Sequence, residues 1–236
     1  MRNLIVLVAL SSFTLLSGCS LREARIAVPS QLAKSSERLE LRGMGGGNRG
    51  SFQLGNAQGR FSRSAERSGI LDPLILQHRG GGTFRLERSA TEAALSGRCS
   101  YRERQINIGP ISLTPSRLSY SCEFARDDRA LDADLVLEDP KDIFGTLDGS
   151  SKRVGFIFYE GQSISIRSIH KDEGGGLPSP TPLGYAFTLE GREIGAVDLN
   201  GPNKIIYAPI IGTDRDAVLA AALALSILWD PADVYQ

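Results

Sequence analysis

The hydrophobic pattern changes character near residue 213. Before that point, apolar and polar residues alternate over short stretches, which is typical of strands with one buried face. After it, residues 217–229 contain a single polar residue, Ser226, whose hydroxyl can bond back to the carbonyl of Ala222. A helix without a polar side must be surrounded either by protein or by lipid.

The C-terminal pattern predicts a helix over 214–229, which Asp230 and Pro231 end. Thr213 is the expected N-cap, and Asp216 can complete a variant of the capping box. The near-apolar residues would rise ~20 Å, less than the ~30 Å hydrocarbon core of a bilayer. We therefore expect a buried core helix rather than a second membrane anchor.

The alternating stretches predict about twelve strands before the helix. Glu160-Gly161 and Glu190-Gly191 separate two pairs of them, and each glycine can supply the positive φ of a tight hairpin turn. The glycine runs at 45–47, 80–82 and 174–176 are interpreted as hairpin tips, and 90–95 as a weak helix candidate. The predicted strands are 37–42, 50–54, 59–64, 82–88, 98–106, 117–124, 132–138, 153–159, 162–169, 183–189, 193–199 and 204–209.

These elements predict a mainly β fold, a closed antiparallel barrel of about twelve strands around the buried C-terminal helix. Eight strands form a barrel that their own side chains fill, whereas sixteen leave a channel, so twelve need a plug. Small residues recur at helical spacing and would let strand backbones approach the helix: Ala217, Ala220, Ala221 and Ala224. The alternative is a two-sheet sandwich with the helix packed at one end.

The N-terminus has the organisation of an export signal. Arg2 precedes an apolar run at 4–16, and the four residues Leu16-Ser17-Gly18-Cys19 resemble the lipobox of bacterial lipoproteins. This resemblance implies cleavage before Cys19 and lipidation of its thiol, and Ser20 favours sorting to the outer membrane. The alternative is an ordinary secretory signal.

Three segments follow from this processing. They are a signal peptide (1–18), a lipidated tether (19–36) and a single β-rich domain (37–236). We expect the domain to be lipid-anchored at the bacterial outer membrane, facing the periplasm or the cell surface.

Export places the remaining two cysteines, Cys99 and Cys122, in an oxidising compartment. Both lie in predicted strands, so a disulfide across a hairpin is expected, worth roughly 3 kcal/mol on the chain-entropy model. A metal site is the weaker alternative, since His78 and His170 are far apart in sequence. We expect these histidines to be surface or hydrogen-bonded residues, and we predict neither a metal nor a cofactor.

The charges balance over the whole chain, with 27 basic and 27 acidic residues, which argues against nucleic acid as a partner. Their distribution is uneven. Residues 19–104 contain 15 Lys and Arg against 8 Asp and Glu, whereas residues 105–236 contain 11 against 19. One barrel could therefore carry a basic face for anionic lipid or lipopolysaccharide, and an arginine-rich coding bias is the other explanation.

No catalytic motif stands out. The sequence contains no GxSxG, no HExxH, no P-loop and no GxGxxG after a predicted strand. The acidic residues Asp127, Asp128, Asp132 and Asp134 are interpreted as a solvated turn rather than a cation site.

The C-terminal motifs carry a family resemblance. IRSIH at 166–170, GYAF at 184–187, GREIGAVD at 191–198 and DRDAVLAAALALSILWD at 214–230 resemble the tubby-like superfamily, especially its scramblase and LURP-one-related branches. The resemblance covers the last 75 residues or so and implies a twelve-stranded barrel around a hydrophobic helix. It implies no scramblase activity, because no acidic calcium loop or palmitoylated cysteine cluster is found.

The sequence therefore predicts a non-enzymatic, lipid-anchored envelope protein that acts as a binding or structural module. Its partner would be the membrane and an envelope protein or anionic lipid. Two alternatives remain: binding of a lipophile at the barrel or its basic face, and an enzyme whose site the motifs do not reveal.

Overall fold

The structure, a computed structural model, describes residues 25–70, 75–88, 92–108, 111–140 and 151–230. At residues 67, 69, 70, 75, 76, 104–108 and 111–117 it describes the backbone only. The helices are α1 (Ser30–Ser35) and α2 (Thr213–Ile227). The strands are β1 (Ser36–Arg42), β2 (Arg49–Leu54), β3 (Ala57–Ile70), β4 (Ile75–Glu87), β5 (Leu95–Ile108), β6 (Ile111–Arg126), β7 (Arg129–Glu138), β8 (Val154–Tyr159), β9 (Gln162–Ile169), β10 (Gly184–Leu189), β11 (Arg192–Asp198) and β12 (Lys204–Pro209).

The twelve strands form one closed antiparallel barrel in which neighbours in sequence are neighbours in space. The barrel closes between its first and last strands, with Glu37 of β1 opposite Ala208 of β12. The predicted barrel is confirmed, and the sandwich alternative is wrong. All twelve predicted strands are present. Inward apolar residues alternate with outward polar ones in strands such as β7 and β9, whereas β10 and β11 each have four consecutive buried residues.

Tight turns connect several of the strands. Glu160 and Gly161 both have positive φ, as do Glu190 and Gly191, so the two predicted hairpin turns are confirmed.

The strands β3 to β6 are longer than predicted, with 13 to 16 residues each. The interpretation of residues 80–82 as a hairpin tip was wrong, since they lie inside β4. A Cβ on Gly80 would lie 2.2 Å from the carbonyl oxygen of Ser64, and one on Gly81 would lie 2.4 Å from that of Cys99. These glycines are required because neighbouring strands approach β4 closely.

Helix α2 runs through the barrel and fills it. Every side chain from residue 217 to residue 227 is buried, and the helix contacts strands around the barrel from β3 to β12. A Cβ on Gly195 of β11 would lie 2.7 Å from Val218 Cγ1, so glycine is what lets this strand approach the helix.

Hydrogen bonds also fix the helix. The predicted bond from the Ser226 hydroxyl to the Ala222 carbonyl is present at 2.7 Å. The buried hydroxyl of Tyr120 on β6 donates to the Ala224 carbonyl at 2.6 Å. The Ala224 carbonyl is one of the last four carbonyls of the helix, and these have no hydrogen-bond donor within the helix itself.

The predicted start of the helix differs from the observed one. Thr213 is the first helical residue, and the N-cap is Gly212, without a side-chain hydrogen bond. Asp216 makes no capping box because its carboxylate forms ion pairs with Arg88 at 2.8 Å and Arg126 at 3.5 Å. The helix ends at Ile227 rather than at residue 229.

Residues 25–35, called the N-terminal segment below, pack on the outside of the barrel. Ile26 and Leu32 are buried there, and α1 contacts β1, β11 and β12. The described part of the predicted tether is therefore attached to the barrel wall. No helix forms in the described part of the 90–95 candidate, because residues 92–94 are irregular and Leu95 begins β5.

The two mouths of the barrel are distinguished by α2. The N-mouth is the end at which the helix begins, where Arg215 donates to the Pro209 carbonyl at 2.7 Å. The C-mouth is the opposite end, where Trp229 and Asp230 follow the helix. Arg25 reaches the C-mouth, since it donates to the backbone of the loop between β11 and β12. Among the described residues, no helix has the length and hydropathy needed to cross a bilayer.

Candidate functional site: an arginine face on the barrel wall

In the part of the chain that the structure describes, the side chains of α2 are buried against the strands and fill the interior along the helix. This filled core counts against carriage of a lipid inside the barrel. The chemistry that remains is found on the outer walls and at the mouths.

The barrel converts the uneven charge of the sequence into two differently charged walls. Because the strands are arranged in chain order, β1 to β5 occupy one side, and these strands lie within the basic part of the chain apart from the end of β5. The acidic part forms β6 to β12. A basic face was expected from composition, and the strand order explains how it forms.

Five outward arginines on β3, β4 and β5 form what we call the arginine face. The register places Arg60 directly opposite Arg85 and Arg79 directly opposite Arg102. Arg98 lies opposite Thr83, next to the first pair. Like charges directly opposite each other in a sheet are destabilising. On their other neighbouring strands, Arg79 lies opposite Glu66 and Arg98 opposite Glu123, so the repulsion is uncompensated in the register only for part of the face.

Acidic neighbours neutralise part of this face. Arg85 pairs with Glu87 at 2.6 Å and with Asp128 at 2.5 Å, and the hydrogen bond with Glu87 is the main cause of a raised pKa of Arg85. Arg79 donates to Gln77 at 2.8 Å.

The other three members of the face, Arg60, Arg98 and Arg102, are exposed. They make no hydrogen bond or ion pair with any residue that the structure describes. Their guanidinium groups are therefore available to an external partner.

A groove of about 800 Å³ runs between Arg60, Arg85 and Arg98. Hydroxyl groups lie beside the arginines in this groove. The hydroxyl oxygens of Ser62 and Thr83 are 2.9 Å apart, and Ser96 also lines the groove. A guanidinium binds phosphate or carboxylate oxygens through two parallel hydrogen bonds, and neighbouring hydroxyls can add further ones. The groove is thus suited to an extended anionic ligand.

The N-mouth contains a larger cavity of about 1090 Å³, and most of the charged residues that line it, all except Arg38 and Glu92, are paired. Arg215 pairs with Glu37 at 2.7 Å, and Arg126 pairs with Glu160 at 3.0 Å. With the Asp216 ion pairs described above, this network holds the start of α2 to the strands. We interpret it as structural.

The C-mouth contains a buried charge network centred on Arg153. This side chain forms two hydrogen bonds with Asp230, at 2.9 and 2.7 Å, and another with Asp139. Burial acts to lower the pKa of Arg153, but the two carboxylates raise it above its ordinary value. Burial also raises the pKa of nearby Glu103 to about 7, with Arg153 opposing the shift.

The predicted disulfide is present. Cys99 of β5 and Cys122 of β6 lie directly opposite each other, with their Cα atoms 4.0 Å apart. Both are buried on the inner side of the barrel. Cys19 lies outside the described residues, so its lipidation stays a prediction.

Neither histidine is a member of the arginine face. Of the four residues of the acidic turn, Asp128 contacts the face through its ion pair with Arg85. His78 is buried on β4, which leaves the second of the two expected placements, a hydrogen-bonded residue. His170 is hydrogen-bonded, with Nε2 2.9 Å from Ser168 Oγ and Nδ1 2.9 Å from the Ser179 carbonyl oxygen. The side chains of Asp127, Asp128, Asp132 and Asp134 are exposed. Within the described ranges, no three His, Cys, Asp or Glu residues are grouped to hold a metal ion.

Sequence reasoning did not find Glu103 or the individual members of the arginine face. All of these arginines except Arg79 occupy outward positions of predicted strands, which was the available signal. Their proximity depends on strand register, which a single sequence does not reveal.

No family model matches the chain, and no curated protein or solved structure is significantly similar to it. The resemblance to the tubby-like superfamily therefore stays a prediction. The barrel around a C-terminal helix is observed independently of that resemblance.

Proposed function

We propose that this chain is a lipid-anchored protein of the bacterial outer membrane and acts as a non-enzymatic binding module. Its binding surface is the arginine face, and its partner is an anionic, phosphate-bearing molecule of the envelope. The observation that carries this proposal is that two exposed arginines, Arg60 and Arg98, line one groove beside hydroxyls and have no counter-ion among the described residues.

The physical argument rests on the balance of charge within the sheet. Arginines held opposite one another repel, and a bound anion would replace that repulsion with attraction. Guanidinium groups on adjacent strands present a planar array, to which several phosphates of one ligand can bind together. Because the face is exposed, salt should weaken such binding strongly.

The position of the face relative to the anchor also supports the proposal. In the strand order, β3, β4 and β5 lie opposite β9, β10 and β11, the wall beside the N-terminal segment. The arginine face therefore points away from the wall on which residues 25–35, the N-terminal segment, lie.

Binding to phosphorylated lipopolysaccharide and to vesicles of anionic phospholipid tests the proposal. The double variant Arg60→Glu/Arg98→Glu should bind at least tenfold more weakly than the parent protein. Arg192→Glu is the matched control, because Arg192 is an exposed arginine on the opposite wall. Equal binding by the double variant and the parent would exclude the arginine face as the binding surface.

Fatty-acid labelling in cells tests the anchor separately. The parent protein should incorporate the label, and Cys19→Ala should remain an unlabelled precursor. Labelling of the Cys19→Ala protein would show that the assignment of the lipobox is wrong.

An enzymatic function has one observation in its favour, the pKa of Glu103 near 7, in the range of general acids and bases. The described charged groups near it are already paired with one another, so we interpret the shift as a consequence of the buried network. Hydrolysis of an ester or phosphodiester that is lost in Glu103→Gln would favour the enzyme.

A further inference from the structure

Three exposed apolar side chains lie at the C-mouth end of the barrel, and we call them the docking rim. They are Val154 and Phe156 of β8, which are 42% and 43% exposed, and Leu177 in the loop after β9, which is 96% exposed. The structure describes two further large apolar side chains that are exposed, Ile210 and Ile211, and these lie at the N-mouth. Exposed apolar side chains that lie together mark a surface for contact with a partner or a membrane.

The two β8 members of the rim belong to an apolar strip on the outer wall. Alternate residues of a strand share a face, so Val154 and Phe156 point outward while Ile157 is buried inside. Phe156 lies directly opposite Val136 of β7, which is half-buried. The strip therefore extends across two neighbouring strands.

Hydrogen bonds hold the loop of Leu177 beside this strip and beside the N-terminal segment. The backbone N–H of Ser151, just before β8, donates to the Pro180 carbonyl at 2.7 Å. On the other side of the loop, the backbone N–H of Glu173 donates to the Arg25 carbonyl at 2.9 Å. Leu177 is thus held between the start of β8 and residue 25.

The length of chain before residue 25 limits how far the rim can be from a membrane. Cys19 is six residues before Arg25, which also donates to the backbone of the loop between β11 and β12. Six residues span at most ~20 Å when fully extended. A lipid on Cys19 would therefore keep Arg25, and the loop bonded to it, close to the bilayer surface. Apolar side chains at a membrane surface bury ~5–10 Å into the boundary between headgroups and acyl chains.

The charges near Leu177 do not form a basic surface. Lys171 is followed by Asp172 and Glu173 in the same loop, and Arg167, which lies opposite Val154, pairs with Glu193 at 2.6 Å. The chemistry that the rim offers to a membrane is therefore apolar contact rather than attraction to anionic lipid.

From these observations we propose that the docking rim contacts the bilayer that holds Cys19, with Val154, Phe156 and Leu177 entering the boundary between headgroups and acyl chains. The contact fixes the orientation of the domain, whereas a lipid on a tether alone would leave it free to turn. This inference rests on the proposed anchor and adds a second membrane contact, which the arginine face does not include.

Fluorescent labels on the full lipidated chain in phosphatidylcholine vesicles test the contact. Pro178→Cys places a reactive thiol beside Leu177, and Asn56→Cys places one at the N-mouth, both at exposed positions. Lipids brominated in their acyl chains should quench the label at residue 178 at least twofold and leave the label at residue 56 unchanged. Equal quenching at both positions, the reverse pattern, or no quenching at residue 178 would overturn the proposal.

A double variant separates contact from tethering. Phe156→Asp/Leu177→Asp should reduce the quenching at residue 178 at least threefold, since a carboxylate does not enter an apolar layer without cost. Ile210→Asp/Ile211→Asp is the matched control, because it changes two exposed apolar residues at the N-mouth, and it should leave the quenching unchanged. Thermal unfolding checks that both variants are folded. Unchanged quenching in the first variant would show that the tether alone brings the loop to the membrane, and would overturn the proposal.

High salt separates this contact from binding at the arginine face. Quenching at residue 178 should persist in high salt, because salt screens charges and leaves apolar contacts in place. Loss of the quenching in high salt would overturn the apolar contact.

Mass spectrometry of the reconstituted protein makes failure of the anchor distinguishable from failure of the rim. Absence of acyl chains on Cys19 would overturn the proposed anchor and this inference with it. An unquenched label at residue 178 on acylated protein would overturn this inference alone, since none of these variants changes Cys19, Arg60 or Arg98.

Discussion

Glu103→Gln should make the protein more stable at alkaline pH and leave it almost unchanged at acid pH. Glu103 lies on β5 opposite His78, near the carboxylates of Asp139 and Asp230. Burial is the largest cause of its raised pKa, these carboxylates add to it, and Arg153 opposes it. Glutamine keeps nearly the same shape and removes the titrating proton.

The sign of the effect follows from proton binding. The pKa of Glu103 rises from its ordinary 4.5 to about 7 in the folded protein, so the folded chain binds the proton more tightly than the unfolded chain. The stabilisation is therefore complete below pH 4.5 and is lost as the pH rises through 7. At ~1.4 kcal/mol per pH unit, this difference corresponds to about 3 kcal/mol. Because Glu103 is only partly buried, solvent screening reduces the expected effect to about 1–2 kcal/mol.

Urea denaturation at pH 4.5 and pH 8 measures this difference. At pH 8, Glu103→Gln should have a free energy of unfolding about 1–2 kcal/mol above that of the parent, whereas at pH 4.5 the two should agree within about 0.5 kcal/mol. Glu66→Gln is the control, because Glu66 is exposed on β3. A difference of the same size at both pH values, or a less stable variant at pH 8, would refute the reasoning.

Three further substitutions test the interior of the barrel. Leu223→Ala should lower the free energy of unfolding by about 2–5 kcal/mol, because the closed barrel wall cannot collapse into the cavity that the substitution leaves. A loss below about 1 kcal/mol in denaturant titration would argue against a filled barrel. Gly195→Val should destabilise more than Gly46→Val, because a Cβ at Gly195 would meet Val218 whereas one at Gly46 would meet nothing within 4 Å, and thermal melting compares the two. Removing the disulfide with Cys99→Ala/Cys122→Ala should cost about 3 kcal/mol, and alkylation of the native parent should modify neither cysteine unless it is first reduced.

The fold was predictable because its strongest signals are local. Alternation of apolar and polar residues defined the strands, and Glu160-Gly161 and Glu190-Gly191 defined two turns. The absence of a polar side on α2 then required an enclosure, and twelve strands can close around one helix. None of these inferences required knowledge of which residues meet across the sheet.

The features that sequence did not reveal depend on contacts between distant residues. Arg60 and Arg85 become neighbours through the register of β3 and β4, and Gly80 is needed because a neighbouring strand approaches it. Thr213 and Asp216 were assigned to a cap from local spacing, but Arg88 and Arg126 bind Asp216 instead. Burial of Glu103 follows from the packing around Arg153, which no local pattern records.

The plugged barrel also determines where function can be located. Since α2 fills the interior along the described residues, the candidate sites lie on the outside. The chain order of the strands gives opposite walls different sequences and different charges. The wall beside the N-terminal segment is covered by the buried side chains of Ile26 and Leu32. The arginine face lies on the far side, and three of its guanidinium groups have no partner among the described residues. If a lipid on Cys19 holds the first wall near a membrane, the arginine face is the wall left to meet a partner from elsewhere in the envelope.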